Sequence, residues 1–212
     1  SETAEAMAHT GPFRCDCGRV HADAFDGPSN DLLGQIDLDG VCALNEAERG
    51  ACRRVFKPYE QRLSRDAFVD SEADDPQLIV HIPFISPVRI RGITILGGPE
   101  GSAPCRLLAY VNQEALDFSD AEAMPPVQEW TLADATAGEV EYPTQFSRFQ
   151  NVSRLSLFVA DNHGADHTRI YYIGLSGVSS NYKREAVQAV YELQANPEMS
   201  ASPSDVVGSH II

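Results

Sequence analysis

Residues 78–96 form two consecutive apolar runs, rich in isoleucine and valine, on either side of a Ser86-Pro87 pair. Apolar and polar side chains alternate at the start of the second run, a period of two that is typical of a half-buried strand. Gly97-Gly98-Pro99 then ends the pattern. The sequence therefore predicts two strands, at 78–84 and 88–96, joined by a turn at Ser86-Pro87.

Six further segments have the length and composition of strands, and turn-forming residues separate them. They lie at 105–111, 127–132, 138–142, 155–160, 168–175 and 185–193. The segment 185–193 also has enough Ala and Glu for a helix, but its alternating β-branched and aromatic residues favour a strand. With only one short helix expected, near 44–53, the pattern predicts an all-β sandwich.

The two ends of the chain differ in composition from the middle. Residues 1–30 contain Gly-Pro pairs and few large apolar side chains, and residues 198–212 are rich in serine. We expect flexible tails at 1–30 and 198–212 and one domain at 31–197. A chain of 212 residues, 43% of them hydrophobic, is long enough to bury one sizeable core.

The chain is strongly acidic, with 31 acidic and 16 basic residues and a formal net charge of −15. Such a surface repels phosphate groups, which disfavours binding to nucleic acid or to an anionic membrane. No apolar run reaches the length of a membrane span, and the first residues do not resemble a secretory signal. Five irregularly spaced cysteines indicate reduced thiols. These features predict a cytoplasmic location, with the nucleus as a second compartment.

Motifs of common catalytic sites are missing from the sequence. It has no Gly-x-Ser-x-Gly elbow, no glycine-rich phosphate loop and no His-Glu-x-x-His pair. The adjacent carboxylates Asp74 and Asp75 lie in polar, turn-like sequence, which does not indicate a catalytic pair. We therefore expect no enzymatic activity and no cofactor.

Two groups of residues could in principle bind a metal ion. Cys15, Cys17 and His21 could supply two thiolates and an imidazole to zinc, although structural zinc sites usually space paired cysteines more widely. The segment 163–167 holds two histidines and an aspartate, but its Asn and Gly neighbours favour a hairpin loop. His81 lies inside an apolar run, which indicates a hydrogen-bonded core or edge histidine.

A basic segment at 49–65 stands out from the acidic background as a candidate surface for binding a protein partner. It contains six of the sixteen basic residues, namely Arg49, Arg53, Arg54, Lys57, Arg62 and Arg65. Phe56 and Tyr59 lie between them and could anchor a docking patch with a cationic rim. The alternative is a solvated segment whose cations pair with Glu46, Glu48, Glu60 and Asp66. His210, near the C-terminus, is a second candidate, because terminal segments can insert into a partner's groove.

Several motifs, in order, resemble one known family. They are Phe56-Lys57-Pro58-Tyr59-Glu60-Gln61-Arg62, Asp70-Ser71-Glu72-Ala73-Asp74-Asp75, Ile82-Pro83-Phe84, Ser147-Arg148-Phe149-Gln150-Asn151-Val152, Gly164-Ala165-Asp166-His167-Thr168 and Tyr172-Ile173-Gly174-Leu175-Ser176-Gly177, with Tyr191-Glu192 and Ala195-Asn196-Pro197 beyond them. The set resembles the PITH domain family over residues 31–197. The resemblance implies a jelly-roll β-sandwich, similar to galactose-binding-like folds, and a proteasome-interacting role.

We therefore expect a non-enzymatic adaptor that docks on a large protein assembly, and the family resemblance implies that this assembly is the 26S proteasome. A permanent structural component of another assembly, such as a cytoskeletal or ciliary one, is the main alternative. A lectin-like module that binds a small ligand is a further alternative. It is disfavoured because only Trp130 and scattered tyrosines are available for stacking on a sugar.

Overall fold

The computed structural model describes residues 30–134 and 140–179. The strands in this part are β1 (Cys42–Leu44), β2 (Val69–Asp70), β3 (Leu78–Gly97), β4 (Pro104–Val111), β5 (Gln128–Thr131), β6 (Glu141–Pro143), β7 (Val152–Asn162) and β8 (Arg169–Ser179). The helices are α1 (Phe118–Ala123) and the short 3-10 helices Leu33–Gln35, Ala51–Val55 and Tyr59–Gln61. Every strand pairing is antiparallel.

Strand β3 belongs to both layers of the fold. Residues 78–83 pair with β7, and residues 88–97 pair with β8, with a shift in register between Pro83 and Val88. The strand therefore runs from one end of the sandwich to the other in the first layer, crosses between the layers at 84–87 and runs back to the first end in the second layer. The layers run β5-β4-β7-β3-β1 and β2-β8-β3-β6. This arrangement is a β-sandwich, which confirms the predicted fold class.

Side chains from both halves of β3 fill the space between the layers. Leu78, Val80 and Ile82 from the first half join Ile93 and Ile95 from the second half in one buried cluster. The alternate residues of the first half face outward but are also covered, which explains why the run is continuously apolar. A strand covered on both faces shows such a run in place of an alternating pattern.

Helix α1 covers the outer face of the first layer. Asp117 caps the helix by accepting a hydrogen bond from the backbone N of Asp120 at 2.7 Å, and Asp120 returns the contact to complete a capping box. Ala121 and the preceding Leu116 pack in one cluster with Ile79 and Phe158. Sequence periodicity did not predict this helix, because six residues are too few to display a helical repeat.

The predicted helix near 44–53 is wrong in its position and type. Residues 42–44 form β1, and a five-residue 3-10 helix at Ala51–Val55 follows. The Glu46 carboxylate accepts hydrogen bonds from the backbone N of Gly50 at 2.5 Å and of Cys52 at 3.1 Å. These bonds satisfy donors at the start of the 3-10 helix, which an isolated turn would leave to water.

Most of the strand predictions within the described residues are confirmed. The segments 105–111, 127–132, 138–142, 155–160 and 168–175 coincide with or overlap β4, β5, β6, β7 and β8 respectively. The turn expected at Ser86-Pro87 is instead the crossover of β3, whose backbone stays extended. Segment 185–193 and the predicted C-terminal tail lie outside the described residues, as does the N-terminal tail up to residue 29.

Candidate functional site

Two cations of the basic segment are used to hold the local backbone. Arg53 donates from Nε to the carbonyl of Val41 at 3.0 Å and from Nη2 to the carbonyl of Asp39 at 2.7 Å. Lys57 donates from Nζ to the carbonyl of Ser64 at 2.6 Å, and partial burial lowers the pKa of its amine. Both side chains therefore close loops, which leaves fewer of their donors for a partner.

Phe56 cannot act as the exposed apolar anchor that the sequence predicted. It is only 6% exposed and packs in the main core cluster, so this expectation is wrong. Arg54 and Glu48 form the expected exposed ion pair at 2.7 Å, which also lowers the pKa of Glu48. Arg49 is exposed and forms no ion pair with any residue of the described part. Solvent screening makes these exposed charges weak determinants of binding.

Tyr59, Arg62 and Leu63 form an exposed aromatic and aliphatic group on the same segment. Tyr59 is 46% exposed and Leu63 is 51% exposed. The Arg62 guanidinium lies 4.1 Å from the centroid of the Tyr59 ring, and its Nη1 donates to the Tyr59 carbonyl at 3.2 Å. Stacking of this kind favours one orientation of the tyrosine by about 0.5–1 kcal/mol. Of the residues predicted for the site, Tyr59 and Arg62 are thus brought together at the surface.

A second group of arginines and aromatic rings lies at Arg65, Phe68 and the start of β8. Phe68 packs edge-on against Tyr171 with ring centroids 6.2 Å apart, and the Arg169 guanidinium lies 4.4 Å from the Phe68 ring. The Arg65 guanidinium lies 5.6 Å from the centroid of the Tyr171 ring. Asp70 accepts two hydrogen bonds from Arg169, at 2.7 and 2.6 Å, and this raises the pKa of the guanidinium.

We call the surface formed by Tyr59, Arg62, Leu63, Arg65 and Phe68 the arginine–aromatic patch. Sequence reasoning missed Leu63 and Phe68. The available signal was an apolar residue with charged or polar residues on both sides, as in Arg62-Leu63-Ser64. Tyrosine and arginine are the residue types enriched at the energetic centres of protein interfaces, so the composition of the patch suits protein binding.

The return of β3 gathers three loops at one end of the sandwich. They are residues 71–77, 98–103 and 163–168, which enter or leave β3, β7 and β8. The last of these crosses between the two layers, so it is not the hairpin loop that the sequence predicted. A cleft of about 350 Å³ lies between loops 98–103 and 163–168, and we call it the loop-end cleft.

Backbone and hydroxyl hydrogen bonds tie these loops to one another. The carbonyl of Thr168 accepts from the backbone N of Ser71 at 2.9 Å. The carbonyl of Arg169 accepts from Gly98 at 2.9 Å, and the backbone N of Arg169 donates to the carbonyl of Ser102 at 2.8 Å. The loop end is therefore held in one conformation before any partner arrives.

Buried titratable groups elsewhere have structural partners. The Nδ1 atom of His81 lies 2.9 Å from the Ser156 hydroxyl, and burial lowers the pKa of the imidazole, as expected for a core histidine. Burial raises the pKa of the Cys52 thiol to about 12, so it is a poor nucleophile at neutral pH. Trp130 is buried and donates from Nε1 to the Pro143 carbonyl at 3.0 Å, which removes it as a surface for sugar stacking.

One of the two candidate metal-binding groups lies within the described residues and the other lies outside them. The segment 163–167 forms part of the loop end, and no three His, Cys, Asp or Glu side chains within residues 30–134 and 140–179 are placed to hold a metal ion. Cys15, Cys17, His21 and the candidate His210 lie outside the described residues and stay predictions. In the same described part, no helix is both long enough and apolar enough to span a membrane.

The sequence matches a family model described as the PITH domain over residues 22–195. It is 36% identical over 200 residues to PITH domain-containing protein 1 of Dictyostelium discoideum, covering 94% of this chain and 96% of that protein. It is 39% identical over 188 residues to the protein of the same name from Homo sapiens, covering 88% of each. The match extends through nearly the full length of both relatives.

Solved structures with a similar fold include carbohydrate-binding modules from Clostridium perfringens. The family 32 module of NanJ, solved in complex with galactose, superposes with a TM-score of 0.50 at 8% identity, covering 69% of this chain and 97% of that chain. The pair of family 32 modules of ZmpB, in complex with GalNAc, gives a TM-score of 0.51 at 9% identity, covering 70% of this chain and 36% of that chain. These values confirm the galactose-binding-like sandwich and, at such low identity, speak to the fold alone.

Proposed function

Because this chain belongs to the PITH domain family, we propose that it is a non-enzymatic interaction module that docks on a large protein assembly, with the 26S proteasome as the first candidate. The choice of assembly rests on the role that the family resemblance of its motifs implies. The observation that carries the docking proposal is the arginine–aromatic patch, an exposed surface with interface composition on a rigid sandwich. We place this activity in the cytoplasm, with the nucleus as a second compartment.

The patch is prepared for binding because its rings are already held in place. Arg62 stacks on Tyr59, and Phe68 is fixed between Tyr171 and Arg169. Side chains that are ordered before binding lose less conformational entropy when a partner arrives. The partner surface that fits is an apolar hollow for Tyr59 and Leu63 with acidic groups facing Arg62 and Arg65, the cations of the patch.

The absence of catalysis is part of the proposal and rests on the buried groups of the described residues. His81 and Cys52 both have pKa values shifted toward the neutral form, and neither lies in the loop-end cleft. Catalytic groups are usually poised near a cleft with partners that activate them. These two groups instead serve the core.

Capture of partners from lysate tests the proposal. The full chain serves as bait beside Leu63→Glu, which places a charge in the patch, and Ile85→Glu, its matched control. Ile85 is 72% exposed and lies at the β3 crossover, away from the patch. We expect the wild type and Ile85→Glu to enrich proteasome subunits equally, and Leu63→Glu to retain at most about a tenth of that amount, the loss typical of an interface hot spot.

Two results would contradict the proposal in different ways. Equal capture by all three baits would remove the patch from the docking surface. Enrichment of a cytoskeletal or ciliary assembly in place of the proteasome would overturn the choice of partner and favour the structural-component alternative. Co-fractionation in high salt separates these roles further, because a dock that depends on arginines weakens as salt screens them.

A lectin-like role is the alternative that the fold neighbours raise, since two of them were solved with galactose or GalNAc bound. The buried position of Trp130 counts against it. A reproducible rise in melting temperature with either sugar would favour this alternative.

A further inference from the structure

The loop-end cleft is a second candidate binding site, separate from the arginine–aromatic patch and independent of the proposed docking function. Its walls come from two loops, and Pro99, Glu100, Ala165, Asp166, His167 and Arg169 all line it. At about 350 Å³ it falls at the lower end of the range for small-ligand pockets and can hold one or two amino-acid side chains.

The cleft is built into the fold and does not depend on flexible side chains. Its two loops are joined by hydrogen bonds from the backbone N of His163 to the carbonyl of Ala103, at 3.1 Å, and of Ala165 to Gly101, at 3.4 Å. Gly101 has a positive φ of 81°, and a Cβ added there would lie 3.1 Å from the carbonyl of His163. Glycine thus lets the two walls approach each other closely.

The unpaired charge in the cleft is negative. Arg169 is already matched by the bidentate carboxylate of Asp70. Glu100 and Asp166 are exposed and form no ion pair with any residue in the described ranges. Two carboxylates without partners, next to a neutralised arginine, attract a cation and repel phosphate or carboxylate ligands.

The remaining surface of the cleft suits the stem of a long basic side chain. Pro99 and Ala165 provide apolar surface beside the two carboxylates. Lysine and arginine bury their methylene stems on such surface while their charged ends reach acidic groups. The residues that line the cleft include no Trp, Tyr or Phe ring on which a sugar could stack, and the imidazole of His167 is the one ring among them.

We infer that the loop-end cleft receives the side chain of an arginine or lysine in an extended segment of a partner protein. The carboxylates of Glu100 and Asp166 bind the cationic end, and the Pro99 and Ala165 walls cover the stem. Because the walls are preformed, even an isolated basic amino acid is expected to bind there, with a dissociation constant on the order of 1 mM, as for other fragment-sized ligands.

Nuclear magnetic resonance titration of the full chain, labelled with ¹⁵N, tests this inference with N-acetyl-arginine amide and N-acetyl-lysine amide as probes. We expect shifts confined to the backbone amides of 100–102 and 163–169. The double variant Glu100→Gln, Asp166→Asn should bind at least about ten-fold more weakly, the loss typical of removing charge-assisted hydrogen bonds. The matched control Glu114→Gln, Glu122→Gln removes the same charge from exposed residues outside the cleft and should bind like the wild type.

Three results would overturn the inference. The first is the absence of shifts at the cleft with both basic probes. The second is an equal loss of binding in both double variants, because that would indicate general attraction of a cation to an acidic protein. The third is a set of shifts at the same amides with galactose but not with the basic probes. None of these results depends on whether the protein captures an assembly from lysate, so the docking proposal stands or falls separately.

Discussion

Gly177 occupies a position in β8 where any side chain would collide with the neighbouring strand. A Cβ built on Gly177 would lie 2.0 Å from the carbonyl oxygen of Arg89 and 2.9 Å from Cδ1 of Leu32. The first contact is with backbone of β3, in the segment where β3 and β8 pair. The backbone of a paired strand cannot change rotamer as a side chain can. The collision therefore has to be relieved by separating β3 from β8.

We therefore expect Gly177→Ala to lower the free energy of unfolding by about 3 kcal/mol, the upper part of the range for overpacked sites. For a chain of this size, that loss corresponds to a fall in melting temperature of roughly 6–12 °C. The matched control is Gly34→Ala, because a Cβ at Gly34 has no atom within 4 Å. Its stability should stay within about 0.5 kcal/mol of the wild type.

Urea unfolding followed by tryptophan fluorescence measures both variants. Trp130 is the one tryptophan of the chain, and it is buried, so its emission reports loss of the core. A Gly177→Ala protein as stable as Gly34→Ala would refute the reasoning, since it would mean that β3 and β8 can separate locally at little cost. An unchanged m-value would confirm that stability and not compactness has changed.

Three further outcomes follow from the contacts of single side chains. Burial raises the pKa of Glu141, so ionisation of this carboxyl destabilises the folded protein as pH rises through that pKa. We therefore expect Glu141→Gln to be more stable than the wild type at pH 7. Urea unfolding should show that this difference in stability vanishes near pH 4, where Glu141 is protonated. In the folded protein, Cys52 should resist iodoacetamide at pH 8 while the exposed Cys42 reacts, as peptide mass spectrometry can show; equal labelling would contradict the burial of Cys52. Asp70→Asn should lose about 1–3 kcal/mol of unfolding free energy in urea, because Arg169 loses a bidentate, partly buried carboxylate; a loss below about 0.5 kcal/mol would show that Phe68 stacking alone positions the arginine.

The strands and their layered packing could be predicted from sequence because alternation of apolar residues is a local signal. The crossover of β3 could not be predicted, since Ser86-Pro87 also fits an ordinary turn. Whether the chain turns or crosses between layers depends on pairing with β7 and β8, which are distant in sequence. Helix α1 is stabilised by its capping box and by packing against β-strands. The packing involves residues that are distant in the chain, so the local sequence does not indicate it.

The candidate site was predicted in part for a related reason. Tyr59 and Arg62 lie at the surface as expected, whereas Phe56 faces the core. In an irregular segment no period tells which apolar side chain faces inward, so composition alone could not separate Phe56 from Leu63. The loop-end cleft was not predicted, because its walls are joined by hydrogen bonds between residues about 60 positions apart.

The shared strand also determines when during synthesis the fold can close. Leu78 pairs with Val159, about 80 residues later in the chain. At about 5–20 residues per second, a ribosome needs roughly 4–16 seconds to supply the missing partner. During that interval the most apolar strand has neither β7 nor β8 beside it, and its edge can pair with other chains. Mutations that delay completion of β7 and β8 should therefore reduce the yield of soluble protein more than they reduce the stability of molecules that have already folded.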